Sequence, residues 1–450
     1  MSSATAVDLI KTGSIARVLY RLCLPNVLSN VLLTLVTVAD AWFVSRLGTA
    51  ALASLAIVFP FQVLMQMFGN GAIGGGIASA LSRALGAQQH TLANRLAFHA
   101  LVIDGFMSLL FMLVLGLFSL PIFQWLGADG AVLEGAVLYA AIAFGGAIGP
   151  WLFYVMFAIC RGTGNMTAPA RALVVSSAVQ VTLSGCLTLG WGPFPALGIA
   201  GPAVSFVISQ GGAGLALLWL AMRGRLAIQL RLTALSWQPV KAIMRVGGLG
   251  MVNSLTIITA VVVVTGVIGQ YGTAALAGYG LGSRLELMLV PLAFGIGGAL
   301  TTAVGINIGA GHYDRARHFA WFGAKVSLAM VGPVGIALAI WPELWTSYFT
   351  SDTQALPFAT LYLHIVGPLY GVFVVGQTLY FASQGTGFMR LPVSVGVARL
   401  IAVSCIGLGA NALGAELWVV FAGVAVGMTI IGVGMCLSLL GPAWRPADSR

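Results

Sequence analysis

The chain has 450 residues, of which 59% are hydrophobic and 7% are charged, and its formal net charge is +10. Soluble globular proteins carry about 25% charged residues. This chain has too few polar side chains to cover a water-soluble body of its size. The composition therefore excludes a soluble globular protein and predicts an all-α integral membrane protein.

Twelve apolar segments are long enough to cross a membrane, since a spanning helix needs about 20 mostly apolar residues. They lie near residues 20–45, 51–80, 93–120, 133–159, 168–190, 197–222, 244–269, 282–308, 317–341, 358–383, 393–412 and 415–441. Of the 21 basic residues, only Arg46 and Arg284 lie outside one side of this arrangement. The positive-inside rule then predicts a multi-pass protein of the cytoplasmic (inner) membrane with both termini in the cytoplasm. The net positive charge reflects topology, and no nucleic-acid partner is predicted.

Short sequence matches relate the two halves of the chain. "GTAALA" begins at residues 48 and 272, and "CRGTGNMTAP" at residue 160 corresponds to "SQGTGFMRLP" at residue 383. Six spans per half give both halves the same orientation, as in parallel repeats. We predict two pseudo-symmetric six-helix bundles, residues 1–222 and 244–450, joined by a cytoplasmic linker, residues 223–243. This plan is typical of an alternating-access carrier, although a duplicated scaffold without a cavity would have the same repeat.

The sequence lacks the motifs of an enzyme or an ATP-driven pump. It contains no GxxxxGK[ST] loop to hold nucleotide phosphates, no HExxH and no GxSxG. The five cysteines are scattered, with no CxxC pair, so neither a zinc site nor a disulfide framework is indicated. We expect a secondary transporter that has no catalytic residue, no metal site and no cofactor except a coupling ion.

Asp40 interrupts the apolar first span and is the only ionisable residue on its face. A helical projection puts most polar side chains of the span on this face, namely Asn26, Ser29, Asn30 and Thr37. An aspartate at the centre of a membrane helix costs roughly 2.5–3.5 kcal/mol, and such residues usually have a function. We interpret Asp40 as an ion-coupling site; the alternative is a carboxylate that only holds helices together by hydrogen bonds.

Three other residues are unusual inside a membrane span. Arg284 and Glu286 are two residues apart and point to different faces of a helix, so they cannot pair within it. Each is expected to bond to a neighbouring helix, with a structural role favoured over a functional one. Pro25 lies at the start of the first span and is a candidate hinge, unless it is only a tolerated proline of the first turn.

Together with the repeat and Asp40, several long motifs resemble the multidrug and toxic compound extrusion (MATE) family. They are "VADAWFVSRLGTAALAS" from residue 38, "GWGPFPALGIAGPA" from residue 190, "GYGLGSRLE" from residue 278 and "GIGGALTTAVGINIGAGHYDRAR" from residue 295. The resemblance implies twelve helices in two bundles, a central cavity, and export of amphipathic, often cationic compounds in exchange for H⁺ or Na⁺. It also implies that Asp40 is the coupling residue.

The chain departs from this family at several polar positions. Gln180 and Ser184 stand where relatives often have an asparagine and a second acid, and Phe206, with Ser205 beside it, aligns with a hydroxyl residue. The spans near 244–269 and 358–383 lack the acids of some relatives and keep two amides. These amides, with two charged residues, form a candidate polar site of the second half: Asn253, Gln377, Arg284 and Glu286. Na⁺ needs several oxygen ligands whereas H⁺ needs one base, so we predict proton coupling.

Other functions remain open from the sequence. A Na⁺-coupled exporter would use the same residues, and a flippase of lipid-linked or polysaccharide precursors belongs to the same superfamily. Such a flippase is expected to have several basic residues in its cavity, and only Arg284 is a candidate here. An intramembrane enzyme or a receptor-like scaffold is less consistent with the missing catalytic residues and small extramembrane mass. We predict amphipathic small molecules and membrane lipids as partners, and a monomer.

Overall fold

The computed structural model describes residues 3–226, 228–347 and 354–446, and these residues contain helices and no β-strand. A helix satisfies every backbone hydrogen bond internally, which the hydrocarbon core of a membrane requires. Eleven helical runs of this part are long and apolar enough to span a membrane, and a helix pair bent by 48° brings the number to twelve. The prediction of a twelve-helix membrane protein is confirmed.

The first half begins with a short helix and continues with six spans. Its helices are α1 (Ser3–Thr12), α2 (Ile15–Ser45), α3 (Thr49–Gln66), α4 (Gly74–Gly86), α5 (His90–Phe111), α6 (Ser119–Trp125), α7 (Gly130–Gly145), α8 (Ile148–Gly162), α9 (Thr167–Leu189) and α10 (Ala200–Met222). The π-helical segment Met67–Ile73 joins α3 to α4 in one span, and the bent pair α7 and α8 forms another.

The second half repeats this order. Its helices are α11 (Trp237–Gly269), α12 (Thr273–Gly309), α13 (Tyr313–Ile340), α14 (Glu343–Thr346), α15 (Leu356–Val366), α16 (Tyr370–Thr386), α17 (Arg390–Ala412) and α18 (Leu417–Ser438). Because α11 starts at Trp237, residues 237–243 of the predicted linker are already helical. The lobe boundaries otherwise stay a prediction.

Helix neighbours correspond between the halves. The pairs α2–α9, α3–α7 and α9–α10 in the first half match α11–α17, α12–α15 and α17–α18 in the second. Gly48 and Gly272 precede the repeated "TAALA" stretches, and both have φ of 106°, a backbone conformation that favours glycine. The two bundles are therefore parallel structural repeats, as the sequence matches predicted.

The two lobes meet at the end of the bundle that carries most of the arginines. Asn26 donates hydrogen bonds to the carbonyl groups of Gly295 (2.7 Å) and Phe294 (3.3 Å), and Arg83 donates to the carbonyl of Gly385 (3.2 Å). By contrast, α3 packs on α2, α7 and the π-helical segment that follows it, and all of these belong to its own half. The lobes thus close at the basic end and separate toward the other end.

Candidate functional site

Asp40 lies near the C-terminal end of α2, and this helix packs on α9 of the same lobe. Its side chain is only 9% exposed. Gln180 of α9 donates a hydrogen bond from Nε2 to Asp40 Oδ2 (3.0 Å). The guanidinium of Arg46 lies over the Trp42 ring (4.7 Å), and no basic side chain pairs with Asp40 in the described part of the protein. The carboxyl group is therefore buried among neutral polar groups.

Gln180 is itself held in a defined orientation. Ser209 of α10 donates a hydrogen bond to Gln180 Oε1 (3.1 Å), so the amide oxygen is occupied and the amide nitrogen faces Asp40. Ser184 lies beside the same carboxyl group and is fully buried. The Ser184 hydroxyl is close enough to this carboxyl group to interact with it, and Asp40 Oδ1 has no other donor among the residues described. The carboxyl group therefore has only neutral polar side chains around it.

Two further residues, which were not predicted from the sequence, belong to this site. Tyr139 of α7 is close enough to interact electrostatically with Asp40, and its hydroxyl accepts a hydrogen bond from Gln62 Nε2 of α3 (2.9 Å). Tyr139 and Gln62 are 77 residues apart and belong to no recognisable local motif. Helices α2, α3, α7, α9 and α10 thus enclose one polar cluster inside the first lobe.

The other polar residues of α2 do not join Asp40. Thr37 is exposed and donates to the carbonyl of Leu33 in its own helix (3.0 Å). Ser29 donates to the carbonyl of Pro25 (2.7 Å), and Asn26 binds α12 of the other lobe. The helix runs unbroken through Pro25. Asn26 thus lies at the lobe interface, and neither Ser29 nor Thr37 donates its side-chain hydrogen bond to the Asp40 site.

On α10, the predicted neighbour Ser205 is buried but donates to the carbonyl of Gly201 one turn earlier (2.8 Å). Ser209, one turn further along the same face, makes the contact with Gln180 instead. The position aligned with relatives, Phe206, contributes its carbonyl group, which accepts a second hydrogen bond from Ser209 (3.2 Å).

The four residues predicted as one polar site of the second half occupy three places. Asn253 and Gln377 line a small cavity of about 20 Å³ between the two lobes, together with Tyr380. Such a volume holds about one water molecule. Arg284 is exposed, and Glu286 lies apart from both amides. The four residues therefore do not form one cluster, because Arg284 and Glu286 are two residues apart on α12, point to different faces of that helix, and do not line the cavity of the two amides.

Glu286 belongs to an aromatic cluster inside the second lobe. Its carboxyl group accepts a hydrogen bond from the hydroxyl of Tyr362, and Arg399 is close enough to interact with it electrostatically. The ring of Tyr362 packs edge-on against Tyr279, with ring centroids 5.5 Å apart. As expected, Glu286 bonds to a neighbouring helix rather than to Arg284.

The internal repeat relates this cluster to part of the Asp40 site in the first lobe. The repeat offsets relate Gln62 on α3 to Glu286 on α12, and Tyr139 on α7 to Tyr362 on α15. In the first lobe the hydroxyl of Tyr139 is hydrogen-bonded to Gln62 of α3. In the second lobe the hydroxyl of Tyr362 is hydrogen-bonded to Glu286 of α12. The pair is neutral in the first lobe and contains a carboxyl group in the second.

This difference predicts unequal effects of the same substitution. Replacing Tyr362 by Phe leaves the half-buried Glu286 carboxyl group without this donor, which is expected to cost about 1–3 kcal/mol of unfolding free energy. Tyr139→Phe removes the same hydroxyl from a neutral amide, and about 0.5–1.5 kcal/mol is expected. Unfolding by SDS in mixed micelles measures both values, and Glu286→Gln is expected to reduce the cost of Tyr362→Phe to the smaller one. Equal losses in both lobes would contradict this interpretation.

The chain matches known sequences over most of its length. The MatE family model matches residues 25–184 and 251–408, one match in each half. The chain is 28% identical to the FAD transporter of Shewanella oneidensis, over 90% of this chain and 89% of that protein. It is 26% identical to the probable multidrug resistance protein NorM of Thermotoga maritima, over 86% and 84% of the two chains.

Solved structures have the same fold. A MOP superfamily transporter from Pyrococcus furiosus superposes with a TM-score of 0.89 at 20% identity, covering 97% of both chains. The bent form of the Vibrio cholerae MATE transporter VcmN superposes with a TM-score of 0.85 at 24% identity, covering 98% of both. The family match extends over both lobes and most of the spans. The chain belongs to the MatE family, the multidrug and toxic compound extrusion transporters.

Proposed function

We propose that the protein is a secondary active exporter that exchanges H⁺ for amphipathic, often cationic organic compounds by alternating access. Relatives named for multidrug resistance support this class of substrate. We expect transport rather than catalysis, with H⁺ as coupling ion and no other cofactor. The proposed location is the inner membrane, with a monomeric chain and both termini in the cytoplasm.

The observation that carries this proposal is the Asp40 site. A single buried carboxyl group with neutral neighbours can bind and release one proton without first breaking an ion pair. Gln180 presents its amide nitrogen to Asp40 and not its oxygen. A hard cation such as Na⁺ needs several oxygen ligands, so this arrangement favours a proton.

The lobe arrangement supports alternating access. With the basic end in the cytoplasm, the cleft between the lobes opens to the outside. At the closed end, helix α4 packs against α11, α12 and α16 of the other lobe. Opening toward the cytoplasm would separate these contacts while each bundle keeps its own core, as rigid-body rocking of two repeats requires.

A second candidate substrate class is an organic anion such as a flavin nucleotide. The relative from Shewanella oneidensis is named an FAD transporter. Arg161 is 4% exposed near the lobe interface, and in the described structure it binds the Asn70 carbonyl (3.0 Å) rather than an acid. A buried arginine without a carboxylate partner would bind an anionic group when the lobes part.

Transport into proteoliposomes tests both the ion and the substrate. We expect an ethidium-like dye to accumulate against its gradient when a pH difference is imposed, and not when only a Na⁺ difference is imposed. One pH unit supplies about 1.4 kcal/mol, so one H⁺ exchanged for one dye cation gives roughly tenfold accumulation. This exchange moves no net charge, so collapsing the voltage should not change it.

Three other results would each redirect the proposal. Accumulation driven by Na⁺ alone would replace H⁺ as coupling ion. Uptake of FAD without uptake of the dye would favour the anionic substrate. Transfer of a labelled lipid-linked precursor without transport of either compound would favour the flippase.

A further inference from the structure

A cavity of about 560 Å³ lies at the basic end of the first lobe, away from the Asp40 site. Five segments line it: α1, the beginning of α2, the connection at residues 163–166, the beginning of α9, and residues 224–226. Its volume is within the range of about 300–1,000 Å³ that is usual for small-molecule sites.

Three arginines from three separate segments converge on this cavity. They are Arg21 of α2, Arg171 of α9 and Arg225 after α10. All three are exposed, and their guanidinium groups have no hydrogen-bond or acidic partner in the part of the chain that the structure describes. No acidic residue lines the cavity. The lining therefore carries three positive charges and no negative one, which attracts an anion.

The remainder of the lining is largely aliphatic. It includes side chains of α1, α2 and the connection after α10, namely Leu9, Ile10, Val18, Leu22 and Leu226. A free inorganic anion gains nothing from aliphatic walls, whereas a molecule with a phosphate group next to hydrocarbon satisfies both parts. The chemistry of the lining thus fits an amphipathic anion.

The cavity is fixed in place by α1, which closes one side. The guanidinium of Arg315, at the start of α13, donates hydrogen bonds to the carbonyl groups of Ile10 (3.1 Å) and Gly13. Ile10 is 1% exposed. These hydrogen bonds hold α1 against the second lobe. The wall that α1 forms is therefore fixed in position.

We propose that this cavity binds the phosphate headgroup of an anionic phospholipid from the leaflet at the basic end. Basic pockets between membrane helices on the cytoplasmic side are a recognised kind of headgroup site. Arg21 follows closely on the start of α2, Arg171 lies in the second turn of α9, and Arg225 follows the end of α10. All three thus lie where spans end, at the level of lipid phosphates.

The test measures binding of phosphatidylglycerol to the full-length protein by native mass spectrometry, with phosphatidylcholine as neutral lipid. The cavity variant combines Arg21→Gln, Arg171→Gln and Arg225→Gln. The control variant, Arg223→Gln with Arg231→Gln and Arg390→Gln, removes the same charge from exposed positions at the same end. Each basic residue near an anionic lipid contributes about fivefold in affinity. We expect about a hundredfold weaker phosphatidylglycerol binding in the cavity variant and less than threefold in the control.

Two results would overturn the proposal: equal losses in both variants, or displacement of the lipid from wild type by glycerol 3-phosphate at comparable concentrations, which would identify a soluble anion. A second measurement does not depend on variant folding. Anionic lipid carrying a photoreactive headgroup is expected to label peptides containing residues 6–10 or 163–171 of the wild-type protein. Labelling confined to other peptides would equally overturn the site.

Discussion

Asp40→Asn is expected to abolish accumulation of substrate against its gradient. Asparagine has nearly the same shape and can still accept the hydrogen bond from Gln180, but it cannot take up and release a proton. Under a difference of one pH unit, the roughly tenfold accumulation proposed for the wild type should fall to about one. Dye uptake into proteoliposomes with an imposed pH difference measures this ratio.

The matched control is Thr37→Ala on the same helix. Thr37 is exposed and bonds only to the carbonyl of Leu33, so its removal should leave accumulation within about twofold of wild type. Exchange of labelled for unlabelled dye without a pH difference then separates coupling from folding. We expect Asp40→Asn to retain this exchange. Wild-type accumulation by Asp40→Asn would place the coupling site elsewhere.

The architecture could be predicted because the membrane imposes strong constraints. The length of each apolar segment and the side on which the arginines lie follow from requirements of the membrane, and the "GTAALA" repeat shows the duplication in the sequence itself. The break between α7 and α8 did not appear, because the 48° bend falls inside one continuous apolar segment.

The Asp40 site could be predicted only in part. A helical projection groups polar residues by angle, but α2 contacts α9 near Asp40 and α12 near Asn26. One face of the helix therefore has two different partners at different depths. Ser205 and Ser209 differ by one turn on the same face, and only the exact register of α10 against α9 decides which one reaches Gln180.

A signal for the missed residues was nevertheless present in the repeat. Applying the repeat offsets to Glu286, a charged residue inside an apolar span, leads to Gln62, and applying them to Tyr362 leads to Tyr139. The interaction of Glu286 with Tyr362 depends on contact between α12 and α15, which no local pattern reveals. Paired polar residues at repeat-related positions are thus informative once a contact is known in either half.

Gly309→Val is expected to prevent the lobes from closing at the basic end. A Cβ atom at Gly309 would overlap the carbonyl oxygen of Arg83, a backbone atom of α4 in the other lobe. Overpacking of this kind costs about 1–3 kcal/mol, which shifts the balance between the two access states by roughly 5- to 150-fold. We therefore expect the initial rate of dye uptake to fall at least fivefold, although the Asp40 site is unchanged.

Gly266→Val on α11 is the matched control, because a Cβ atom there meets nothing within 4 Å. It should transport within about twofold of wild type. Spin labels at the repeat-related positions Leu52 and Leu276, in a cysteine-free background, report the separation of the lobes at the open end. We expect a shift to shorter distances in Gly309→Val and none in Gly266→Val. If the two variants transport equally and give the same distances, the closed basic end is not a required state of the transport cycle.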